Sequence, residues 1–301
     1  MSLSPTHETW LRRVATLHQW SRGGERAPHK PLLLLYAIGR LEQTGQASVS
    51  FTEAEEPLRR LLEEFGPPRK TSPGYPFHHL ASDGLWTVTM PASGESPGSD
   101  LRKLRAGAVG SLAADFATAL ERDPALLGGV VRTLLDSNFP ASLHEDILSA
   151  TGIDLEPAEA LTLVPRRRRD PAFRELVLLA YEQRCAVCGY DGQLLREAVG
   201  IDAAHIRWWA ENGPDEVENG VALCALHHKL FDRGAIGITE ANAVAVSAHF
   251  VGRGTAAVDL VVALAGRALL APQSGQPRPH PSHCSWHRAQ VFRGPARQAS
   301  R

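Results

Sequence analysis

The chain has 301 residues, enough for two domains, and its 43% hydrophobic and 22% charged content is typical of a protein with a well-packed core. It lacks both the roughly 18 uninterrupted apolar residues of a membrane span and the apolar segment of a secretory signal, so we expect a cytoplasmic protein without a membrane partner. The formal net charge of −1 does not by itself indicate a nucleic-acid partner, because DNA affinity depends on local basic patches.

The first half of the sequence predicts a mixture of helices and strand. Apolar residues recur at helical spacing over 8–20, 31–41, 50–65, 109–120, 126–135 and 144–150, and each range is predicted to be a helix. Residues 85–90 are rich in β-branched and aromatic types, which predicts a strand. Residues 10–40 carry six Arg or Lys against one acid, a bias that fits a DNA-binding patch and a solvated helix face equally well.

A change of composition over residues 151–170 indicates a domain boundary. Acidic residues are followed by Pro165 and then by four consecutive arginines at 166–169. These arginines are equally suited to following a phosphate backbone and to keeping a linker solvated. We therefore predict a DNA-reading domain over 1–152, a linker over 153–170 and a second domain over 171–301, which opens with a helix over 173–184.

The cysteines indicate a metal site rather than disulfide bonds. Cys185 and Cys188 form one C-x-x-C pair, and Cys224 and His227 form a second pair with the same spacing. Two such pairs supply the four ligands of a closed, structural zinc site, in which no coordination position remains for water. The alternative is that the cysteines are buried apolar residues and that His227 is incidental.

A histidine, an asparagine and a second histidine are interleaved with these pairs. His205 lies near the end of a predicted strand, Asn219 follows 14 residues later, and His228 follows nine residues after Asn219. This order, threaded through a cysteine knuckle, resembles the HNH nuclease motif of the ββα-metal fold. In cysteine-bearing members of that family the second pair lies five and eight residues after the asparagine, where this chain has Cys224 and His227. His227 stands where a cysteine is usual, and it is a competent zinc ligand.

The resemblance implies roles in phosphodiester hydrolysis. His205 would be the general base that takes a proton from water, and His228 would hold Mg²⁺ or Mn²⁺ against the scissile phosphate. Asn219 would fix a loop and orient the ring of His205. Many family members carry a further metal ligand directly before the base, where this chain has Ala204. Asp202 is the nearest carboxylate, and it is interpreted either as that second metal ligand or as a surface aspartate.

The C-terminal part of the chain offers a second cluster of ligand types. Residues 230–234 and 286–288 resemble an HNH subgroup of bacterial restriction-type proteins. His280, His283, Cys284 and His287 could bind a second metal, but the favoured interpretation is a flexible His-rich tail.

Strings at 29–36, 65–68 and 75–80 resemble the sulfur-binding domain of phosphorothioate-dependent, McrA-like Type IV restriction endonucleases, over roughly residues 8 to 150. A sulfur that replaces a non-bridging phosphate oxygen is larger, softer and less hydrated, so an apolar concavity beside basic groups would select it. The residues expected to bind DNA or sulfur are His29, Lys30, Arg69, Lys70, Tyr75, Pro76 and His79. Without the resemblance, Tyr75 and Pro76 would be interpreted as a turn with a packed aromatic, and His79 as a structural histidine.

The sequence therefore predicts an α+β protein with an N-terminal mixed helix and strand domain that reads DNA and a C-terminal ββα-metal (HNH) nuclease domain with a structural zinc knuckle. The predicted function is cleavage of phosphorothioate-modified double-stranded DNA, with Zn²⁺ as structural ion and Mg²⁺ or Mn²⁺ as catalytic ion. A homodimer is expected because two strands must be cut. The alternatives are an HNH enzyme that reads methylated or unmodified DNA and a nuclease-dead, zinc-stabilised DNA-binding protein, which Ala204 keeps open.

Overall fold

The computed structural model describes residues 5–19, 25–90, 97–154 and 171–298. The chain divides into two compact units, Met1–Arg166 and Arg167–Arg301. The arginine run at 166–169 and most of the predicted linker lie outside the described residues, so the predicted domain limits stay a prediction. Among the described residues, the helices are all too short or too polar to cross a membrane.

The first unit combines helices with one small sheet. Its helices are α1 (Pro5–Ala15), α2 (His29–Thr44), α3 (Phe51–Phe65), α4 (Gly74–His79), α5 (Leu101–Arg105), α6 (Ala114–Arg122), α7 (Pro124–Asn138) and α8 (His144–Thr151). Its strands are β1 (Ser48–Ser50), β2 (Trp86–Thr89) and β3 (Val109–Leu112). The three strands form an antiparallel sheet in which β3 lies between β1 and β2. The predicted mixture of helix and strand is confirmed.

Helix α2 is the centre of the first unit. Residues 32–35 are completely buried, and α2 packs against α3, α4, α7 and α8. Pro31 lies in the first turn, where a missing N–H costs no helical hydrogen bond. The next helix, α3, begins with a reciprocal capping box between Ser50 and Glu53. Burial of α2 fixes its first two residues, His29 and Lys30, at the edge of the core.

One local prediction for this unit is wrong. Residues 109–120 were expected to form one helix, but β3 occupies the first four residues and α6 begins only at Ala114. Tertiary pairing overrides the helical pattern here, because β3 pairs with strands on both sides. Gly110 lies close to the ring of Trp86. A Cβ atom at position 110 would lie 2.1 Å from that ring, so a larger residue does not fit. Tyr75 and Pro76, for which a simple turn was the alternative interpretation, lie in helix α4.

The second unit contains the predicted ββα arrangement. Its helices are α9 (Pro171–Ala180), α10 (Ala225–Asp232), α11 (Thr255–Leu260) and α12 (Pro281–Gln290), and its strands are β4 (Gln193–Leu194), β5 (Glu197–Ala198), β6 (Ile201–His205), β7 (Gly220–Cys224), β8 (Ile236–Ile238) and β9 (Val244–Val246). Strands β6 and β7 pair antiparallel, from Ile201 opposite Cys224 to His205 opposite Gly220. Helix α10 follows β7 directly, and both strands pack against it and against α9. Helix α10 therefore begins where the end of β7 pairs with the start of β6, and it packs back against both strands.

The expected flexible His-rich tail is wrong for residues 281–290, which form helix α12. His280 caps this helix by accepting a hydrogen bond from the Ser282 backbone N–H at 3.2 Å. Cys284 is 1% exposed, and His287 is completely buried with its ring stacked on Phe231 at 3.8 Å. Cys284 and His287 are therefore interior residues of the second unit.

Candidate functional site

The four residues predicted to bind zinc lie together in the second unit. The candidate ligand atoms of Cys185, Cys188, Cys224 and His227 all lie within 4.8 Å of one another. The Cys188 Sγ to Cys224 Sγ distance is 3.9 Å, and the His227 Nδ1 atom lies 3.6 Å from Cys185 Sγ and 3.1 Å from Cys224 Sγ. Tetrahedral zinc with ordinary bond lengths would separate two sulfurs by about 3.8 Å and a sulfur from a nitrogen by about 3.6 Å. The donor set and its spacing therefore fit a tetrahedral zinc ion.

The second shell of this cluster also suits a metal. The Nε2 atom of His227 lies 2.8 Å from the carbonyl oxygen of Leu260, so Nε2 carries the proton. The lone pair of Nδ1 is then available to a metal ion between this nitrogen and the three sulfurs. Hydrogen bonds from the Cys188 and Cys224 thiols lower the pKa of Cys185, and the same interaction raises the pKa of Cys188, so that Cys185 is the first of the two to ionise. Thiolate is the form of cysteine that binds metal.

His205 lies at the end of β6 with its ring held from two sides. Its Nε2 atom lies 2.7 Å from Oδ1 of Asp215, and its ring stacks on Phe173 at 3.9 Å between centroids with 17° between the planes. The His205 and Asp215 side chains are 10% and 18% exposed. The carboxylate is therefore an acceptor for the Nε2 proton of a largely buried imidazole.

Asn219 is completely buried and stabilises the loop between β6 and β7. Its Oδ1 accepts a hydrogen bond from the Arg207 N–H at 2.8 Å, and its Nδ2 donates to the carbonyl oxygens of Arg207 at 3.0 Å and Pro214 at 2.9 Å. The Asn219 carbonyl also accepts a hydrogen bond from the Ile206 N–H at 2.8 Å. These bonds join the backbone that follows His205 to the backbone that precedes Asp215.

His228 lies on α10 directly after the candidate zinc ligand His227. It is partly buried, and its Nε2 atom lies 3.3 Å from Oδ2 of Asp232, one helical turn further on. The Asp232 side chain is 2% exposed. The zinc knuckle and this carboxylate therefore both support the position of His228.

Asp202, the tentative second metal ligand, is exposed and bound elsewhere. Its Oδ1 atom accepts a hydrogen bond from Arg174 Nε at 2.9 Å, and Arg174 Nη2 also contacts the Ile201 carbonyl. Ala204, which occupies the position of the usual second ligand, is completely buried. Asp202 therefore pairs with Arg174 at the surface, and its role as a metal ligand stays a prediction.

The first unit contains a cavity of about 440 Å³ where α2 meets α4. It is lined by His18, Gln19, Ala27, His29, Lys30, Tyr75, His79 and Ser82. Tyr75 is 38% exposed, and its ring lies 4.4 Å from that of His79 and 6.3 Å from that of His29. Pro76 is buried beside Tyr75 in α4. The structure thus brings four of the predicted DNA- or sulfur-binding residues to this cavity: His29, Lys30, Tyr75 and His79.

Two of the residues expected to bind DNA or sulfur, His29 and Lys30, are buried at the cavity. Lys30 is buried, and its Nζ atom lies 2.6 Å from Asp83 Oδ2 and 3.2 Å from Ser82 Oγ. Burial, followed by the nearby Arg69 and Arg26, lowers the pKa of His29 to about 4, so this ring is neutral near pH 7. Burial and then the adjacent His78 and Lys30 also lower the pKa of His79.

The two predicted basic residues after α3 lie outside the cavity lining. Arg69 pairs with Glu25 at 3.1 Å and donates to the Arg26 carbonyl at 2.7 Å. Lys70 is exposed. Arg69 is therefore held in a fixed position, and Lys70 points to solvent.

Several groups at these sites were missed by the sequence analysis. Asp215, Asp232 and Leu260 contact His205, His228 and His227, and Asp83 pairs with Lys30. Only Asp232 carried a sequence signal, namely its spacing of four residues from His228 on a predicted helix. The contacts of the other partners depend on the paths of loops, and the spacing of residues in the sequence does not predict those paths.

Comparisons with known proteins agree with this geometry. Residues 185–239 match the sequence model of the HNH endonuclease family, which places the second unit among HNH nucleases. Residues 7–156 match the model of the ScoMcrA-like DNA sulfur-binding domain. The chain therefore joins a DNA sulfur-binding domain of the ScoMcrA-like family to an HNH endonuclease domain. HNH nucleases use divalent metals.

Solved structures similar to this chain come from the same group of enzymes. The sulfur-binding domain of SprMcrA complexed with phosphorothioated DNA is 28% identical over 50% of this chain and 97% of that chain, with a TM-score of 0.43. The corresponding complex of ScoMcrA is 26% identical over 48% and 94%, with a TM-score of 0.40. The Type IV phosphorothioation-dependent restriction endonuclease ScoMcrA is 21% identical over 68% of this chain and 43% of its own, with a TM-score of 0.41. No curated protein matches the chain significantly.

Proposed function

We propose that this protein is a modification-dependent restriction endonuclease that binds phosphorothioate-modified duplex DNA through its first domain and hydrolyses phosphodiester bonds nearby with its second. The observation that carries the proposal is the pairing of two family matches, a sulfur-binding domain over 7–156 and an HNH endonuclease over 185–239, in one chain. A reader of modified DNA coupled to a nuclease is the composition that a restriction enzyme of this kind requires.

The cavity between α2 and α4 is the proposed site for sulfur. The Tyr75 ring, which lines the cavity, offers an apolar wall to a poorly hydrated sulfur atom, and Pro76 is buried next to Tyr75 in the chain. The cationic group inside the cavity is Lys30, whose charge is offset by Asp83, and His29 is neutral. A cavity of low net charge binds a soft, weakly hydrated sulfur with less desolvation cost than it would bind an ordinary phosphate oxygen.

The remaining negative charge of the DNA backbone is assigned to groups at the cavity rim. Lys70 is exposed, and Arg69 is fixed beside it by Glu25. Lysine and arginine at such positions contact phosphates and can read guanine in the major groove. His79, stacked against Tyr75, completes the proposed surface.

In the nuclease domain we assign His205 as the general base and His228 as the ligand of the catalytic ion. His205 would take the proton of the attacking water while its partly buried ring is held by Phe173 and Asp215. A Mg²⁺ or Mn²⁺ ion at His228 would supply the positive charge that offsets the negative charge on the reacting phosphate. Asn219 would hold the loop that carries the partners of His205.

We assign Zn²⁺ to the cluster of Cys185, Cys188, Cys224 and His227, where it would be structural. Four protein ligands leave no site for water, and the knuckle holds the first turn of α10 next to His228. A cluster of free thiols also suits a reducing compartment, so a cytoplasmic location is part of the proposal. A homodimer is proposed because cutting a duplex requires two active sites or two successive reactions.

A gel-shift comparison at fixed salt tests the sulfur assignment. The His228→Ala variant of the full chain, which should bind without cutting, is mixed with one duplex that carries a phosphorothioate and with the same duplex without it. Tighter binding to the sulfur-bearing duplex, lost on Tyr75→Ala, is expected. Equal binding to both would redirect the proposal to an HNH enzyme that reads methylated or unmodified DNA.

Cleavage of the sulfur-bearing duplex with Mn²⁺ tests the nuclease assignment. The wild-type chain should cut, His228→Ala should abolish cutting, and His205→Ala should slow cutting by at least about 100-fold while leaving a rate that single-turnover measurements detect. Binding without any cutting by the wild-type chain would instead favour a DNA-binding protein whose nuclease site is inactive.

A further inference from the structure

We propose that Asp215 is a positioning residue of the nuclease site, which orients His205 and stabilises the positive charge that its ring acquires when it takes a proton from water. This inference rests on the proposed function and adds a residue that neither the sequence motif nor the family match assigns. The observation behind it is the 2.7 Å contact between His205 Nε2 and Asp215 Oδ1.

Two contacts together define the orientation of the His205 ring. Stacking on Phe173, with 17° between the planes, restricts the tilt of the imidazole. The hydrogen bond to Asp215 restricts rotation within that plane and selects the tautomer with a proton on Nε2. A base held in this way needs little rearrangement at the moment of proton transfer.

The position of Asp215 is itself fixed by the buried asparagine of the motif. Asn219 Nδ2 donates to the Pro214 carbonyl at 2.9 Å, and the Asn219 N–H donates to the Glu216 carbonyl at 2.9 Å. Asp215 therefore lies between two residues whose backbones are bound by the same asparagine. Asn219 thus supports His205 in two ways, through the neighbours of Asp215 and through the backbone of Ile206 and Arg207 that follows His205.

The chemistry at the base explains why a carboxylate is useful here. In hydrolysis an O–H bond of water breaks, its proton goes to the His205 ring, and the oxygen forms a bond to phosphorus. The bond from phosphorus to the leaving oxygen then breaks, and its electron pair stays on that oxygen. The imidazolium formed in the first step lies next to a carboxylate that is only 18% exposed, where the attraction between the charges is weakly screened.

Asp215→Asn tests the proposal, because it keeps the shape of the side chain and removes its charge. With a phosphorothioate duplex and saturating Mn²⁺, we expect kcat to fall by about 100-fold, within the range of general acid–base contributions, and KM for DNA to stay unchanged. Asp215→Glu should recover part of the loss. Glu216→Gln, which removes the exposed carboxylate next in the chain, is the matched control and should retain full activity.

A double-mutant cycle separates this role from a structural one. In a His205→Ala background, adding Asp215→Asn should lower the single-turnover rate by less than about twofold, since the group on which Asp215 acts is gone. An equal loss in both backgrounds, or a lower melting temperature of Asp215→Asn, would mean that the carboxylate only stabilises the loop and would overturn the proposal. A raised Mn²⁺ requirement would also overturn it, because Asp215 would then be a metal ligand. Failure of the wild-type chain to cut is a different result and would overturn the proposed function itself.

Discussion

Replacing Asn219 by alanine tests how the loop between β6 and β7 supports the base. The side chain is completely buried and makes three hydrogen bonds to backbone groups, one from the Arg207 N–H and two to the carbonyls of Arg207 and Pro214. Alanine removes all three and puts no polar atom in their place. The Arg207 N–H and the carbonyls of Arg207 and Pro214 would then be left without these partners in a buried place that water does not reach.

The expected cost follows from these contacts. A buried hydrogen bond contributes about 1 kcal/mol, and more is lost where a buried group keeps no partner, so the free energy of unfolding of the second unit should fall by about 3 kcal/mol. Asn219→Asp keeps the acceptor for the Arg207 N–H but places an oxygen against the two carbonyls. It should therefore be at least as destabilising as alanine.

Urea unfolding of the second unit and hydrogen exchange measure the two halves of this prediction. The Arg207 amide, bound to Asn219 Oδ1, should lose its protection in Asn219→Ala, and cleavage should slow with it. Binding to phosphorothioate DNA, which is proposed for the first unit, serves as the internal control and should be unchanged. Unaltered protection of the Arg207 amide together with full cleavage activity would refute the reasoning.

Three further predictions follow from the other contacts. Chelation of zinc, or Cys188→Ser, should lower the melting temperature of the second unit and abolish cleavage, but should leave DNA binding intact. Mass spectrometry of the native protein measures its zinc content. An unchanged melting temperature would contradict a structural role of the ion. Burial, followed by Arg69 and Arg26, lowers the pKa of His29 from 6.5 to about 4. As the pH falls, the unfolded chain therefore takes up a proton before the folded chain does. The free energy of unfolding should then fall between pH 6.5 and pH 4 by on the order of 3 kcal/mol. His29→Gln should flatten that pH dependence in urea unfolding, and a slope equal to that of wild type would exclude His29 as its source. Tyr75→Ala should weaken binding to a phosphorothioate duplex by roughly tenfold, on the order of one lost apolar contact, and leave binding to the unmodified duplex unchanged.

The metal and nuclease motifs could be predicted from the sequence because their information is local. Cys224 and His227 are three residues apart at the start of one helix, and His228 follows on the same turn. The spacing of these residue types therefore identified them before any tertiary contact was known. Asp215 differs, since its contact with His205 depends on the path of a loop that Asn219 closes.

The errors have the same physical origin. Residues 109–112 have apolar residues at spacings that suit a helix, but pairing with β1 and β2 makes them a strand. Lys30 was expected to bind DNA or sulfur, and its position in the sequence did not indicate that Asp83, 53 residues away in the chain, pairs with it. The C-terminal histidines suggested a solvated tail, and stacking of His287 on Phe231 instead buries that segment. In each case a long-range contact decided the structure.

The central claim is that sulfur in the DNA backbone controls cutting, and one cleavage measurement tests it most directly. The full wild-type chain with Mn²⁺ is incubated with two duplexes of identical sequence, of which one carries a phosphorothioate. We expect the sulfur-bearing duplex alone to be cut, and His228→Ala to lose that cutting. Equal cutting of both duplexes would contradict the claim.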